Sequence, residues 1–420
     1  MKTTTKNPKH QLINKISPLA PKSFKAMKPI PGVSIYTYCA NLYNYNRLDV
    51  LLFLFDEELN IAEVSTHSKT RSITIDWNEK NLKKGKIKAL LVNSGNANTF
   101  TGKQGKEALN KLTKFIENKF YISSSNIFVA STGVIGEPFP FKKIIKSISH
   151  HNEKNKSNWL DAAKAIMTTD TFPKLKEANA IIGGKKIIIK GIAKGSGMIA
   201  PNMATMLGFI FTDANIARPV LQSLLKEINE DSFNSITVDG DESTNDTVML
   251  ISTNYAKHRI IKNKDDKLLR NFKIQLKNVM VDLAEQIIKD GEGATKLVEV
   301  SVVGAQSFRS AKVIARAIAE SPLVKTAIYG EDPNWGRVIM AIGKSKENIN
   351  INKLKIKFGA NLVASNGSRN LKCKDLDLKK YMKNNRITIA IDLGIGKGDA
   401  KIMTCDYSYD YIRINASYKT

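Results

Sequence analysis

The chain has 420 residues, 42% hydrophobic and 25% charged, the balance of a folded protein large enough for two domains or subdomains. No run of about 18 apolar residues occurs, which argues against a transmembrane helix. The formal charge is +26, from 65 Lys and Arg against 39 Asp and Glu. The lysines are spread along the whole chain without interleaved aromatics or zinc-finger spacing, so a solvated Lys-rich surface is the expectation ahead of nucleic-acid binding.

Cys39, Cys373 and Cys405 are far apart and not near His at metal-ligand spacing, so neither a disulfide framework nor a zinc site is expected, and a reducing cytoplasm fits. Residues 1–30 read as an irregular arm broken by Pro18, Pro21 and Pro29; it is basic and has no apolar signal core. Residues 31–80 read as strand-rich, with strands at 33–38 and 50–55. A strand at 86–92 empties into Asn93-Ser94-Gly95-Asn96-Ala97-Asn98, a turn able to present backbone N–H groups. Residues 103–120 have helical spacing, with Leu109, Leu112, Phe115 and Ile116 on one face. A short strand at 126–130 precedes Ser131-Thr132-Gly133-Val134-Ile135-Gly136, which is neither a Walker A loop nor a dinucleotide fingerprint. A Gly N–H and a Thr hydroxyl suit an oxyanion hole; a plain turn is the competing reading. Helices follow at 141–150, ending in exposed His150 and His151, and at 157–167. The second leads into Thr168-Thr169-Asp170-Thr171-Phe172-Pro173-Lys174. Residues 178–182 and 185–190 read as a hairpin around Gly183-Gly184.

The middle of the chain carries the run KGSGMIAPNMATMLGFIFTDA, from Lys194 to Ala214. It places Thr205 at the head of an apolar strand, 206–211. A hydroxyl is a weak nucleophile unless a base takes its proton. A free α-amino group on the same residue, with a pKa of about 7.7–8.0, is such a base if the chain is cut just before Thr205. A loop-to-strand junction with a capping Thr is the bland alternative. Lys194 suits a substrate carboxylate, although a surface Lys is the default in so basic a chain. Residues 217–230 form an amphipathic helix. The acidic run Asp239-Gly240-Asp241-Glu242-Ser243-Thr244-Asn245-Asp246-Thr247 lacks calcium-loop spacing. Residues 268–288 are the clearest helix, with Leu269, Phe272, Leu276, Val279, Leu283 and Ile287 recurring at three and four. It runs into Asp290-Gly291-Glu292-Gly293-Ala294-Thr295-Lys296, where a carboxylate at a Gly-bounded helix end suits a substrate amine or merely caps a turn. A strand at 297–303 and a helix at 310–320 precede Asp332-Pro333-Asn334-Trp335-Gly336-Arg337, for which tight packing of Trp335 is the plain reading. Residues 345–400 read as a strand-rich C-terminal subdomain, and the chain closes on YDYIRINASYKT.

These runs together resemble the bifunctional ornithine acetyltransferase/N-acetylglutamate synthase family of arginine biosynthesis. The resemblance covers about residue 85 to the C-terminus. It departs at Ser65-Thr66-His67-Ser68, in place of a TTN-like segment, and at Ser417, in place of the usual Asp. It implies an α/β sandwich of the self-processing, N-terminal-Thr acyltransferase kind, with a smaller C-terminal α/β subdomain from about residue 300. It also implies autocleavage between Ala204 and Thr205, giving an alpha chain, 1–204, and a beta chain, 205–420, assembled as two of each. The family's pattern makes Thr205 the nucleophile and Thr132 and Gly133 the oxyanion donors. Thr168, Lys194, Thr205, Glu292, Asn415 and Thr420 become substrate-binding residues, with Thr169 or Thr171 as alternatives to Thr168. The implied substrates are N-acetylornithine and glutamate, with no metal or redox cofactor and with acetyl-CoA open as a co-substrate. A self-processing aminopeptidase of related fold is the rival, disfavoured because its expected nucleophile is Ser.

Overall fold

The computed structural model describes residues 15–200 and 206–417. The chain forms two compact units. One holds residues 22–234 and 242–287; the other holds residues 235–241 and 288–418 with the first residues of the chain.

The larger unit is built on eight strands: β1 (Val33–Tyr38), β2 (Val50–Ser65), β3 (Lys86–Asn93), β4 (Ile127–Ser131), β5 (Lys174–Ile182), β6 (Lys185–Lys194), β7 (Leu207–Thr212) and β8 (Thr247–Ser252). Their order is β4-β3-β2-β8-β7-β6-β5, with β1 also paired to β2. The β3–β4 and β7–β8 pairs are parallel. β2 is 16 residues long, far beyond the six apolar residues that announce it, and it changes partners along its length. Its first half lies against β1, and residues 60–65 lie against β8. β7 is buried throughout between β6 and β8, as its unbroken apolar run demands.

The helices of this unit are α1 (Ile73–Leu82), α2 (Gly102–Phe120), α3 (Phe141–Ser149), α4 (Trp159–Ala165), α5 (Arg218–Glu230) and most of α6 (Leu269–Lys289). Leu109, Leu112 and Ile116 of α2 enter a core with Leu52, Leu91 and Val129. A second core holds Phe53, Trp159, Phe209 and Phe211. There the Phe53 and Phe211 rings sit 4.7 Å apart, and Trp159 meets Phe211 edge-on at 5.2 Å. The whole apolar stripe expected of α6 is buried, and Gly191 on β6 leaves the room that Val279 and Leu283 occupy.

Two local expectations need correction. The region 31–80, read as strand-rich, ends in helix: Ile73, Ile75 and Trp77 alternate with Thr74, Asp76 and Asn78 as in a strand, but residues 73–82 are helical and Ser72 caps the first turn. The polar residues then cover the exposed edge of β4. Asn78 exchanges two hydrogen bonds of 3.0 Å with the Val129 backbone, and Trp77 and Asn81 donate to the Ile127 carbonyl at 2.8 and 3.1 Å. The side chains of α1 thus supply what a neighbouring strand would. The second correction is His151: it is half-buried, edge-on to Tyr36 at 4.4 Å, with Nδ1 2.7 Å from the Tyr38 hydroxyl.

The smaller unit carries β9 (Leu297–Ala305), β10 (Lys355–Phe358), β11 (Asn361–Ser365), β12 (Ser368–Arg369), β13 (Arg386–Asp392) and β14 (Gly398–Cys405) in the order β12-β11-β10-β13-β9-β14. Its helices are α7 (Phe308–Ala319), α8 (Pro322–Tyr329), α9 (Trp335–Lys344), α10 (Asp375–Met382) and α11 (Tyr409–Asn415). Trp335 packs against the core of this unit. Asn334 accepts from the Arg337 N–H as the N-cap of α9, and the Arg337 guanidinium donates to the Leu323 carbonyl at 2.7 Å. The DPNWGR run is therefore a helix start that locks α9 to α8. All three cysteines are free thiols. Among the described residues no helix is long and apolar enough to cross a membrane.

Glu63 on β2 is 6% exposed, and its Oε2 has no hydrogen-bond partner among the described residues. Burial pushes its carboxyl up to about 8, against a lowering by Asn78. The folded state therefore keeps a proton that the unfolded state loses near pH 4.3, so this site costs stability progressively as pH rises from about 4 through 8. Glu63→Gln should raise urea stability relative to the parent by on the order of 4 kcal/mol more at pH 9 than at pH 5. A pH-independent difference between the two proteins would contradict this.

Candidate active site

In the larger unit, the loops after β3 and β4 are tied to each other. The Thr132 N–H donates to the Asn93 carbonyl at 3.0 Å and the Val134 N–H to the Gly95 carbonyl at 3.4 Å, whereas the Gly133 N–H between them has no backbone partner among the described residues. Gly133 has φ +128°, and a Cβ there would lie 2.3 Å from the Gly95 carbonyl carbon and 2.5 Å from the Asn96 nitrogen. Only glycine allows this backbone and this approach. Thr132 is buried. A buried Thr beside an uncommitted Gly N–H is the donor pair that a developing oxyanion requires.

The acidic run before β8 serves this loop. Asn245 donates to the carbonyls of Ala97 at 2.6 Å and Ser131 at 2.8 Å. Its oxygen accepts from Thr99 at 2.7 Å and Thr244 at 2.6 Å. Both donors and both acceptor positions of the amide are used. Ser131 further donates to Asn93 Oδ1 at 2.7 Å, and the Asn93 amide to the Asn96 carbonyl at 2.9 Å. Thr66, in the segment that departs from the family pattern, is buried against the same run: its N–H reaches the Asp246 carbonyl and its hydroxyl the Ser243 carbonyl, both at 3.0 Å.

A second cluster joins the β5 start to the β6 end. Asp170, buried, accepts from the Thr168 N–H at 2.9 Å, the Gly195 N–H at 2.7 Å and Lys174 Nζ at 2.6 Å. Burial pushes its carboxyl up, but the charges of Lys174 and Lys194 and these hydrogen bonds outweigh it and hold it at about 2. Thr168 and Lys194 are thereby brought to one carboxylate, and Lys194 pairs in the sheet with Leu207 at the head of β7. Asp170 and Asn245 carry more of the site's geometry than the sequence reading assigned them. The available signal was an Asp four residues before a Lys, and an Asn inside a Thr-rich run.

In the smaller unit, Asn415 Nδ2 donates to Glu292 Oε2 at 2.8 Å. The structure thus pairs these two expected substrate residues directly. Ala204, Thr205 and Thr420 lie outside the described residues. Among the described residues no group of His, Cys, Asp and Glu is arranged to hold a metal ion.

Replacing Asn245 by Leu removes four buried hydrogen bonds at about 1 kcal/mol each, although the Ala97 carbonyl keeps Ser72 Oγ and the Thr99 and Thr244 hydroxyls keep each other. The expected result is a loss on the order of 3 kcal/mol in chemical unfolding, with activity falling in the protein that still folds. An Asn245→Leu protein of parental stability and activity would refute the role given to this amide.

Sequence comparison places the chain among known proteins. The model of the ArgJ family matches residues 35–420. The chain is 46% identical to the "Arginine biosynthesis bifunctional protein ArgJ" of Agrobacterium fabrum, over 96% of this chain and 99% of that protein. It is 48% identical to the protein of the same name from Nitrobacter winogradskyi, again over 96% and 99%. Among solved structures, the arginine biosynthesis bifunctional protein of Bacillus halodurans is 42% identical, over 51% of this chain and 100% of that chain, with a TM-score of 0.49.

Proposed function

Because this chain belongs to the ArgJ family, we propose that it moves the acetyl group of N-acetylornithine to glutamate through an acetyl ester on Thr205. The observation that carries this reading is identity of 46–48% to bifunctional arginine-biosynthesis proteins over nearly the whole chain. The Gly133 loop supports it, because it offers the donors that acyl transfer needs.

The precursor first cuts itself. The Thr205 hydroxyl adds to the Ala204 carbonyl, the C–N bond breaks, and the α-amine is freed as the ester forms. Water then hydrolyses the ester, releasing the Ala204 carboxylate and restoring the hydroxyl. In the mature protein the α-amine takes the hydroxyl proton as the Thr205 oxygen attacks the acetyl carbonyl. The Thr132 hydroxyl and Gly133 N–H donate to the resulting oxyanion. Collapse expels ornithine, whose nitrogen receives the proton. The amine of glutamate attacks the acetyl ester in turn, and the Thr205 oxygen leaves as a hydroxyl. Lys194, oriented from the Asp170 cluster, takes a substrate carboxylate. Glu292, steadied by Asn415, takes a substrate amine; Thr168 and Thr420 complete the contacts.

Acetyl-CoA is the candidate co-substrate of this reading. We place the enzyme in the cytoplasm, its two fragments associated as two alpha and two beta chains.

Thr205→Ala should abolish both self-cleavage and acetyl transfer, read by intact mass and by ornithine release. Thr132→Ala should fold normally and lose about a hundredfold in kcat. Acetyl transfer surviving in Thr205→Ala would end the covalent mechanism.

A further inference from the structure

We infer that Lys325 and Asp406 are positioning residues for the Glu292–Asn415 pair and so for substrate capture. This rests on the reading of that pair given above. Neither residue belongs to the acyl-transfer machinery, and the segment carrying Lys325 has so far only a packing role.

Lys325 lies on α8 and is completely buried. Its Nζ donates to Thr404 Oγ1 at 2.8 Å and to the Cys405 carbonyl, and it stands 4.5 Å from the centre of the Tyr407 ring. The Tyr407 N–H returns a bond of 3.2 Å to the Lys325 carbonyl. One side chain thus grips the end of β14 and the residues just beyond it. Burying an amine carries a desolvation cost that an apolar residue of the same length avoids. What the amine adds is direction, because two hydrogen bonds and a ring contact fix where residues 404–407 run.

Asp406 lies inside that grip. Its Oδ1 accepts from the Thr295 N–H at 2.8 Å and the Lys296 N–H at 2.9 Å, and its Oδ2 from the Thr295 hydroxyl. These residues end the loop that carries Glu292. Lys296 Nζ adds a strut to Glu331 Oε1 at 3.0 Å. On the other side, Tyr407 stacks on Tyr411 with ring centres 4.6 Å apart. Ser408, the N-cap of α11, donates to the Gly293 carbonyl at 2.6 Å. Gly293 has φ +72°, and a Cβ there would meet the Tyr411 nitrogen at 2.4 Å, so α11 seats directly on the loop. Glu292 is held through Asp406, Asn415 through Tyr407, and Lys325 fixes both.

The test is steady-state kinetics with N-acetylornithine and glutamate on the processed enzyme, for Glu292→Gln, Lys325→Met, Asp406→Ala and Asp406→Asn. Lys325→Met and Asp406→Ala should raise KM for N-acetylornithine about tenfold, with kcat within about twofold and self-cleavage intact. Asp406→Asn keeps the oxygen that accepts the two N–H groups and should stay near the parent. If Lys325→Met does not fold, the contrast between the two Asp406 variants decides. Parental KM in both Lys325→Met and Asp406→Ala, beside a raised KM in Glu292→Gln, overturns this inference alone. The same holds if Asp406→Asn is as impaired as Asp406→Ala, or if kcat falls with KM unchanged. An unchanged KM in Glu292→Gln overturns the substrate role of the pair, and this inference with it.

Discussion

One amide holds the loop that carries Gly133 in place. Asn245 spends its whole hydrogen-bonding capacity on four partners from the loops after β3 and β4 and from its own run. The Gly133 backbone is shaped by the segment it crosses, because nothing larger than hydrogen fits between it and Gly95. An oxyanion donor has to be rigid before the charge appears, since reorganising it during the reaction would return the energy it provides. Buried and fully satisfied bonds give such rigidity to this loop, which lies at the ends of two parallel strands, where the sheet itself resists movement.

Charge is handled by the same logic. The excess of lysine is mostly solvated, but a few cations are drawn inward and each is answered. Lys174 and Lys194 converge on Asp170, whose carboxylate also ties the Thr168 and Gly195 backbones together. Lys190 pairs with Glu177 at 2.7 Å. Lys325 is the exception, since its Nζ is met by a hydroxyl, a carbonyl and a ring. Those contacts fix the run of residues 404–407.

The long apolar patterns were legible in advance. The α6 stripe and the β7 run follow directly from burial on one face or on both. The turn at Gly133 was legible too, as a Gly-containing loop after a short strand; the chemistry assigned to it came from the resemblance. The helix at 73–82 was not, since its β-branched residues imitate a strand and its polar face is spent on covering β4, which only the assembled sheet reveals. Asp170, Asn245 and Asp406 were harder to read as organisers for a related reason. Beside near neighbours such as Lys174 and Thr244, they hold groups up to 148 residues away, and no local spacing encodes those bonds. The chemistry of Thr205 was read from a resemblance and from the general properties of hydroxyl and amine.

Acyl transfer in the proposed cycle runs through an acetyl ester on Thr205, and mass spectrometry of the enzyme quenched after mixing with N-acetylornithine alone reads that ester. A fragment beginning at Thr205 should gain one acetyl group, located on that residue, and lose it when glutamate is added. A processed enzyme that transfers acetyl groups while this fragment is never modified would contradict that cycle.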